Sequence, residues 1–214
     1  MFRTLFVGLC LLGLPLTAIP SLGSSPARAE DSASPASAVE RFHGTLVDNM
    51  KQGKSLGFAG RKAKLDLVVK ATFDLTAMAR ISTGGGWQKM SEAEHAAVIA
   101  AFADWTIANY AGNFSEWDGE AFVTKDQSPD DGKGNVMVNT QLNAKGIPPV
   151  LFNYRLHKAD NAWKIFDIYL DGAISQLAMR RAEFAAVLAR GTSADLVSHM
   201  NQLAKDAEKG SGGK

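Results

Sequence analysis

Short turns between consecutive apolar strands constrain this chain more than any other feature. Val136, Val138, Thr140 and Leu142 alternate with neighbours of the other face, as a half-buried strand does. Val150, Phe152, Tyr154 and Leu156 alternate in the same way against Asn153, Arg155 and His157. Trp163 to Leu170 is apolar on both faces, the pattern of a central strand covered twice. The connections carry turn chemistry at Asp130-Asp131-Gly132-Lys133-Gly134-Asn135, Ala144-Lys145-Gly146 and Ala159-Asp160-Asn161. None is long enough for a crossover helix, so the strands must pair antiparallel as a meander. Glu120 to Lys125 supplies a weaker strand ahead of them.

On either side the apolar period is helical. Val39, Phe42, Leu46 and Met50 mark a first helix running to about Gln52, and Leu65, Val68, Val69 and Thr72 a second stripe. Phe73 to Ile81 continue as a short helix that Gly84-Gly85-Gly86 stops. Ser91 followed by Glu94 is a capping box opening a long helix to at least Tyr110. Val98, Phe102 and Trp105 share one face of it while Ile99 and Tyr110 point away, so this helix is buried from two sides or lines a cavity. After Asp171-Gly172 the stripe Ile174, Leu177, Phe184 and Leu188 forms a helix ended by Gly191, and Ser193 to Ala204 forms another. The expected fold is α+β: a curved four-stranded antiparallel sheet wrapped by about six or seven helices, with an apolar cavity between them.

The ends of the chain read as export and tail. Arg3, the apolar stretch Leu5 to Leu16 and Ala27-Arg28-Ala29 have the layout of a signal peptide cleaved after Ala29. The stretch is too short to span a bilayer, Pro15 and Pro20 interrupt it, and no later segment reaches about 18 consecutive apolar residues. Cys10 lies inside the signal and is badly placed for lipidation after Leu9, so the mature chain has no cysteine and depends on its apolar core. Residues 30–37 are expected to be a flexible leader, 38–205 one domain, and 206–214 a disordered tail. Removing Arg3 and Arg28 from the 23 basic residues leaves 21 against 22 acidic ones, and a net charge of −1 argues against nucleic acid as a partner. Lys51, Lys54, Arg61, Lys62, Lys64, Lys70 and Arg80 face only Asp66 and Asp74 locally, which reads as solvated helix faces or as a docking face for an anionic lipid or acidic partner.

Catalytic chemistry is sparse. His43, His95, His157 and His199 are scattered without metal-ligand spacing, and there is no thiol nucleophile, G-x-S-x-G elbow or phosphate-binding glycine motif. Neither a metal nor a cofactor is implied. Asp167 lies in the most apolar strand and is the one acid that invites a catalytic reading, against the simpler reading of a bond to backbone or arginine. The large apolar residues are many for a sheet of this size, and helices over a concave sheet face commonly leave a pocket. Its lining is expected from Phe73, Met78, Phe102, Trp105, Tyr110, Val138, Phe152, Tyr154, Tyr169, Leu177 and Phe184. Arg181 falls on the Leu177/Phe184/Leu188 stripe, where a guanidinium must be paired (Glu183 or Asp171) or reach a pocket mouth to meet an anionic head.

The run Phe73-Asp74-Leu75-Thr76-Ala77-Met78-Ala79-Arg80, then Gly86-Trp87, Ser91 and Tyr110, resembles the MlaC (toluene-tolerance auxiliary) family. Trp163 to Gly172, Ile174-Ser175 and Arg180-Arg181-Ala182-Glu183-Phe184 are similar to that family's strand, acidic-Gly turn and returning helix, so the resemblance covers about 38–205. An extra residue between Gly172 and Ser175 and the Arg180-Arg181 pair look more like its hopanoid-associated branch, HpnM. The resemblance implies a periplasmic carrier of a phospholipid or hopanoid. Its implied partners are an inner-membrane ABC transporter with an MCE-domain protein, or a hopanoid exporter, and an outer-membrane lipid-transfer complex. Two other classes compete: a small enzyme of the NTF2-like type, and a structural or adaptor protein whose apolar residues only fill a core.

Overall fold

The computed structural model describes residues 34–210. The expected signal at 1–29, the first part of the leader and the end of the tail lie outside the described residues. Residues 35–37, expected in the leader, are helical. Helix α1 (Pro35–Lys51) already starts at Pro35, because the Ser34 side chain accepts from the Ser37 N–H and proline suits the first helical turn. α2 (Gly53–Thr72) follows, broken by Gly57 at φ 60° and ψ 179°, a conformation only glycine takes without strain. Phe73 is extended and bridges to Ile165 in parallel, so the short helix α3 (Leu75–Thr83) starts two residues later than its sequence suggests. Asp74 caps it by accepting from the Ala77 N–H. A 3-10 turn, Gly84–Lys89, leads to α4 (Glu92–Asn113), which opens on the Ser91/Glu94 capping box.

The sheet has five antiparallel strands in sequence order, one more than expected: β1 (Ala121–Pro129), β2 (Val136–Asn143), β3 (Val150–Ala159), β4 (Ala162–Leu170) and β5 (Ile174–Ser175). The added strand corrects the reading of Ile174 as helical. Asp171 and Gly172, at φ 50° and 74°, turn the chain so tightly that Ile174 and Ser175 pair back onto Leu170 and Tyr169. Helix α5 (Gln176–Leu188) then begins with Ser175 as its cap, and α6 (Ser193–Gly210) extends six residues past Ala204. Among the described residues there are six α-helices, at the lower end of the expected number.

The core lies between the sheet and the helices. Val138, Thr140, Tyr154, Leu156, Ile165 and Ile168 are buried against Val39, Phe42 and Leu46 of α1, Leu65 and Val69 of α2, and α4. β3 and β4 shift register between Arg155 and Leu156, and Ile165 to Ile168 are buried without a break, as a strand covered twice should be. α4 is buried on both sides, through Phe102 and Trp105 on one and Ile107, Ala108 and Ala111 elsewhere. It packs tightly on α6, since a Cβ added at Gly112 would come within 2.5 Å of the Ala207 carbonyl oxygen. Arg61, 6% exposed, donates to the carbonyls of Ala111 and Gly53 at 2.8 and 2.9 Å, placing its charge on the C-terminal end of α4. No helix among the described residues is long and apolar enough to cross a membrane.

Candidate functional site

Beyond the contact of Phe42 with Phe73 and Tyr110 (centroids 5.0 Å in each case), α4 leaves the ends of β3 and β4 uncovered, and α5 closes the gap. The result is a cavity of about 410 Å³, within the ~300–1,000 Å³ of typical ligand pockets. α4 contributes Phe102, Trp105, Thr106, Asn109, Tyr110 and Asn113; Phe73 and Met78 form one wall; Phe152, Ile168 and Leu170 form the floor. Leu177, Gln176 and Arg180 of α5 complete it, with Phe114 at the end of α4. Aromatic rings support one another around it: Phe102 and Trp105 meet edge-on at 5.4 Å, and Tyr110 and Phe114 stack at 5.9 Å. Burial pushes the Tyr110 phenol well above its usual range, as expected where hydrocarbon surrounds a hydroxyl.

Seven residues expected at the pocket are there: Phe73, Met78, Phe102, Trp105, Tyr110, Phe152 and Leu177. Four are placed elsewhere. Val138 and Phe184 are fully buried in the core, and Phe184 packs edge-on between Phe102 and Trp105 behind the cavity wall. Tyr154 is 1% exposed, and its hydroxyl pairs with His43 Nε2 at 2.9 Å. Tyr169 pairs across the sheet with Asn153 and Ser175, on the register position next to the Ile168 and Leu170 that do line the cavity. The His43 ring, stacked on Phe122 at 3.9 Å, is driven by desolvation from a pKa of 6.5 to about 3, so it is neutral in the folded protein.

The arginine at the mouth is Arg180, not Arg181. Arg181 turns toward the 3-10 turn, where its Nε would lie 3.1 Å from a Cβ placed on Gly84, and it lines a separate groove there. Arg180 lies over the Trp105 ring at 4.8 Å and donates through Nη1 to Glu183 Oε2. Glu183 Oε1 in turn pairs with His199 Nε2 at 2.6 Å. Burial raises the Glu183 carboxyl, but the bonds from His199 and Arg180 outweigh it and hold it below its usual range. Sequence spacing pointed to Arg181 because it sits nearer the centre of the Leu177/Phe184/Leu188 stripe, and nothing in the stripe tells which flank faces the cavity.

Asp167 also lines the cavity, yet its oxygens are committed. Oδ1 accepts from the Ile168 and Leu177 N–H groups at 2.8 and 3.2 Å, and Oδ2 accepts from Ser175 Oγ at 2.7 Å. It ties the first turn of α5 to β4 and has no basic or acidic partner for proton transfer. Among the described residues no three potential metal ligands gather. Three residues of the basic run are tied into the fold: Arg61 caps α4, while Lys62 pairs with Asp104 and Lys70 with Asp66, each at 2.6 Å. A wider groove of about 720 Å³ carries Asp66, Asp74, Asp104, Asp160, Lys70 and Lys164 beside Phe73, Leu75, Ile99 and Ile107, a more charged lining than that of the cavity.

A meander sheet wrapped by helices over an aromatic pocket coincides with a family match: the model for the MlaC protein matches residues 40–202. The chain belongs to the MlaC family. Its fold is also that of the phospholipid-binding protein from Ralstonia solanacearum, solved in complex with a phospholipid. The TM-score is 0.72 at 21% identity, covering 82% of this chain and 99% of that one. At that identity the likeness is one of fold. No curated protein matches the chain.

Proposed function

We propose that this MlaC-family protein is a non-enzymatic lipid carrier of the periplasm, which holds the apolar part of a lipid in the cavity between α4, α5 and the sheet. The observation that carries the reading is the cavity itself: about 410 Å³ walled by Phe73, Met78, Phe102, Trp105, Phe152 and Leu177. Burial in hydrocarbon is worth ~0.8 kcal/mol per CH₂, so two long acyl chains cost on the order of 20 kcal/mol to expose to water. A preformed apolar pocket removes much of that barrier and needs no reacting group. The phospholipid bound by the Ralstonia relative supports a membrane lipid as cargo. Its carriage between inner and outer membranes and the ABC-transporter and outer-membrane partners follow from the family resemblance, and export by a signal cleaved after Ala29 follows from the layout of residues 1–29. The hopanoid alternative also comes from the resemblance, and rests on the Gly172–Ser175 spacing and the Arg180-Arg181 pair.

The test is organic extraction of protein purified from a bacterial periplasm, followed by mass spectrometry and quantitation. A carrier yields close to one lipid per chain. Protein that is folded yet lipid-free after gentle purification, and that takes up none from labelled vesicles, overturns the reading in favour of a filled core.

A further inference from the structure

We propose that the outer side of α5, with the 3-10 turn beside it, is a docking face for the surface of an anionic lipid bilayer. The proposal goes beyond the carrier reading and does not depend on which lipid is carried. Two features meet on this face, and the first is charge. Arg80 and Arg181 line one groove with Gly84 and Trp87. Arg181 and Lys89 line the next with Ala189 and Gly191, the neighbours of Arg190 in the chain. The side chains of these four cations have no ion-pair or hydrogen-bond partner among the described residues. Arg61 and Arg155, by contrast, are held by the Ala111 and Gly53 carbonyls and by Asp130 and Asp131. The one carboxylate lining either groove is Glu94, which already accepts from Ser91 and Ser193. On a mature chain of net charge −1, such a cluster is a local field and not a result of composition.

The second feature is the exposed face of α5 itself. Ala178, Met179, Ala182, Ala185 and Ala186 are exposed, and none carries a charge or a hydrogen-bonding group. A solvated helix face ordinarily carries polar residues. Met179 is 52% exposed and Ile174 50%. Gln176, which lines the cavity, bonds through Nε2 to the Ile174 carbonyl at 3.4 Å and contacts the Met179 sulfur, so the two apolar side chains flank the cavity rim. Unpaired cations beside an apolar helix face are the pattern that seats a helix in a bilayer interface. A second copy of this chain fits worse, because a two-fold contact would set these cations against their own kind. An acidic protein segment would match the cations, yet it would leave bare Ile174 and Met179, which line neither groove. A bilayer surface covers both, and sets the cavity rim where an apolar cargo can pass without crossing water.

The experiment is flotation of the full-length mature protein with vesicles of phosphatidylcholine alone, and of phosphatidylcholine mixed with phosphatidylglycerol. The protein should float with the anionic vesicles at low salt, and be released from them at high salt. It should stay behind when the vesicles are neutral. Each cation near an anionic surface is worth about fivefold in affinity, so Arg181→Gln combined with Arg190→Gln should weaken binding about 25-fold. Lys125→Gln combined with Lys133→Gln makes the same change of charge at β1, the opposite edge of the sheet, and should alter binding by less than about twofold. Ala182→Glu, on the exposed apolar face, should weaken binding too and serves if the arginine pair misfolds. Equal flotation with neutral vesicles, or none with anionic ones, overturns the docking face. Undiminished flotation of the Arg181/Arg190 or the Ala182 variant does the same, as does a loss in the Lys125/Lys133 control equal to that of the arginine pair. Arg181-dependent capture on polyglutamate without flotation also overturns it, and marks an acidic protein segment as the partner. Lipid retained by the protein after the vesicles are removed reports on the carrier reading separately, so either proposal can fail without the other.

Discussion

Acid should weaken this protein in a window set by one buried imidazole. His43 is 4% exposed, hydrogen-bonded to Tyr154 and stacked on Phe122, and its pKa falls from 6.5 to about 3. The folded value lies below the unfolded one, so the unfolded chain takes up a proton that the native state refuses. The stability from neutral His43 is therefore complete above pH 6.5 and is lost progressively as pH falls toward 3. One pKa unit corresponds to ~1.4 kcal/mol, so at pH 5 the loss is about 2 kcal/mol relative to pH 8. The assay is urea unfolding at pH 8 and pH 5 for the parent and for His43→Gln, which does not titrate and keeps a bond to Tyr154. With a slope of ~2 kcal/mol per molar urea, the parent midpoint should drop by about 1 M more than the variant's. Equal drops would refute the argument, since His43 would then be hydrated or protonated in the native state.

Tyr154→Glu should unfold the protein and not merely empty it, because Tyr154 is sealed in the core beside His43 and an unpaired buried charge costs several kcal/mol; a cooperative melt near the parent temperature would contradict this. Asp167→Asn presents an amide N–H₂ to donors that need acceptors, and should lower stability by about 1.5–3 kcal/mol. Lipid bound per folded molecule should stay the same, and loss of cargo from a well-folded variant would give Asp167 a direct role.

The strands and their pairing were legible because period-2 patterning and short turns leave only one topology. Other features were not. Lys54 to Lys64 is mostly polar with two glycines, so the first half of α2 carries no apolar stripe; it is held by Arg61 and by Gly53 packing on Ser115, which are tertiary contacts. β5 was hidden because Ile174 fits a helical stripe equally well, and the positive φ of Asp171 and Gly172 decided the matter. Alternation told which face Phe152 and Tyr154 share, but not how far along that face the cover extends. α1 seals the sheet at Tyr154 through His43 and Phe42, while two residues further on Phe152 faces the cavity. Depth along a strand depends on where a distant helix ends, which no local pattern records.

Where hydrocarbon sits on this protein can be read by photolabelling. A phospholipid with a diazirine at the end of one acyl chain, loaded into the purified protein and irradiated, should leave adducts on the cavity wall. Peptide mapping should find them at Phe102, Trp105 or Tyr110 of α4, at Phe152, or at Leu177. Adducts confined to the charged groove at Asp66 and Ile99, or to exposed side chains such as Leu67 and Trp117, would contradict a lipid held between sheet and helices.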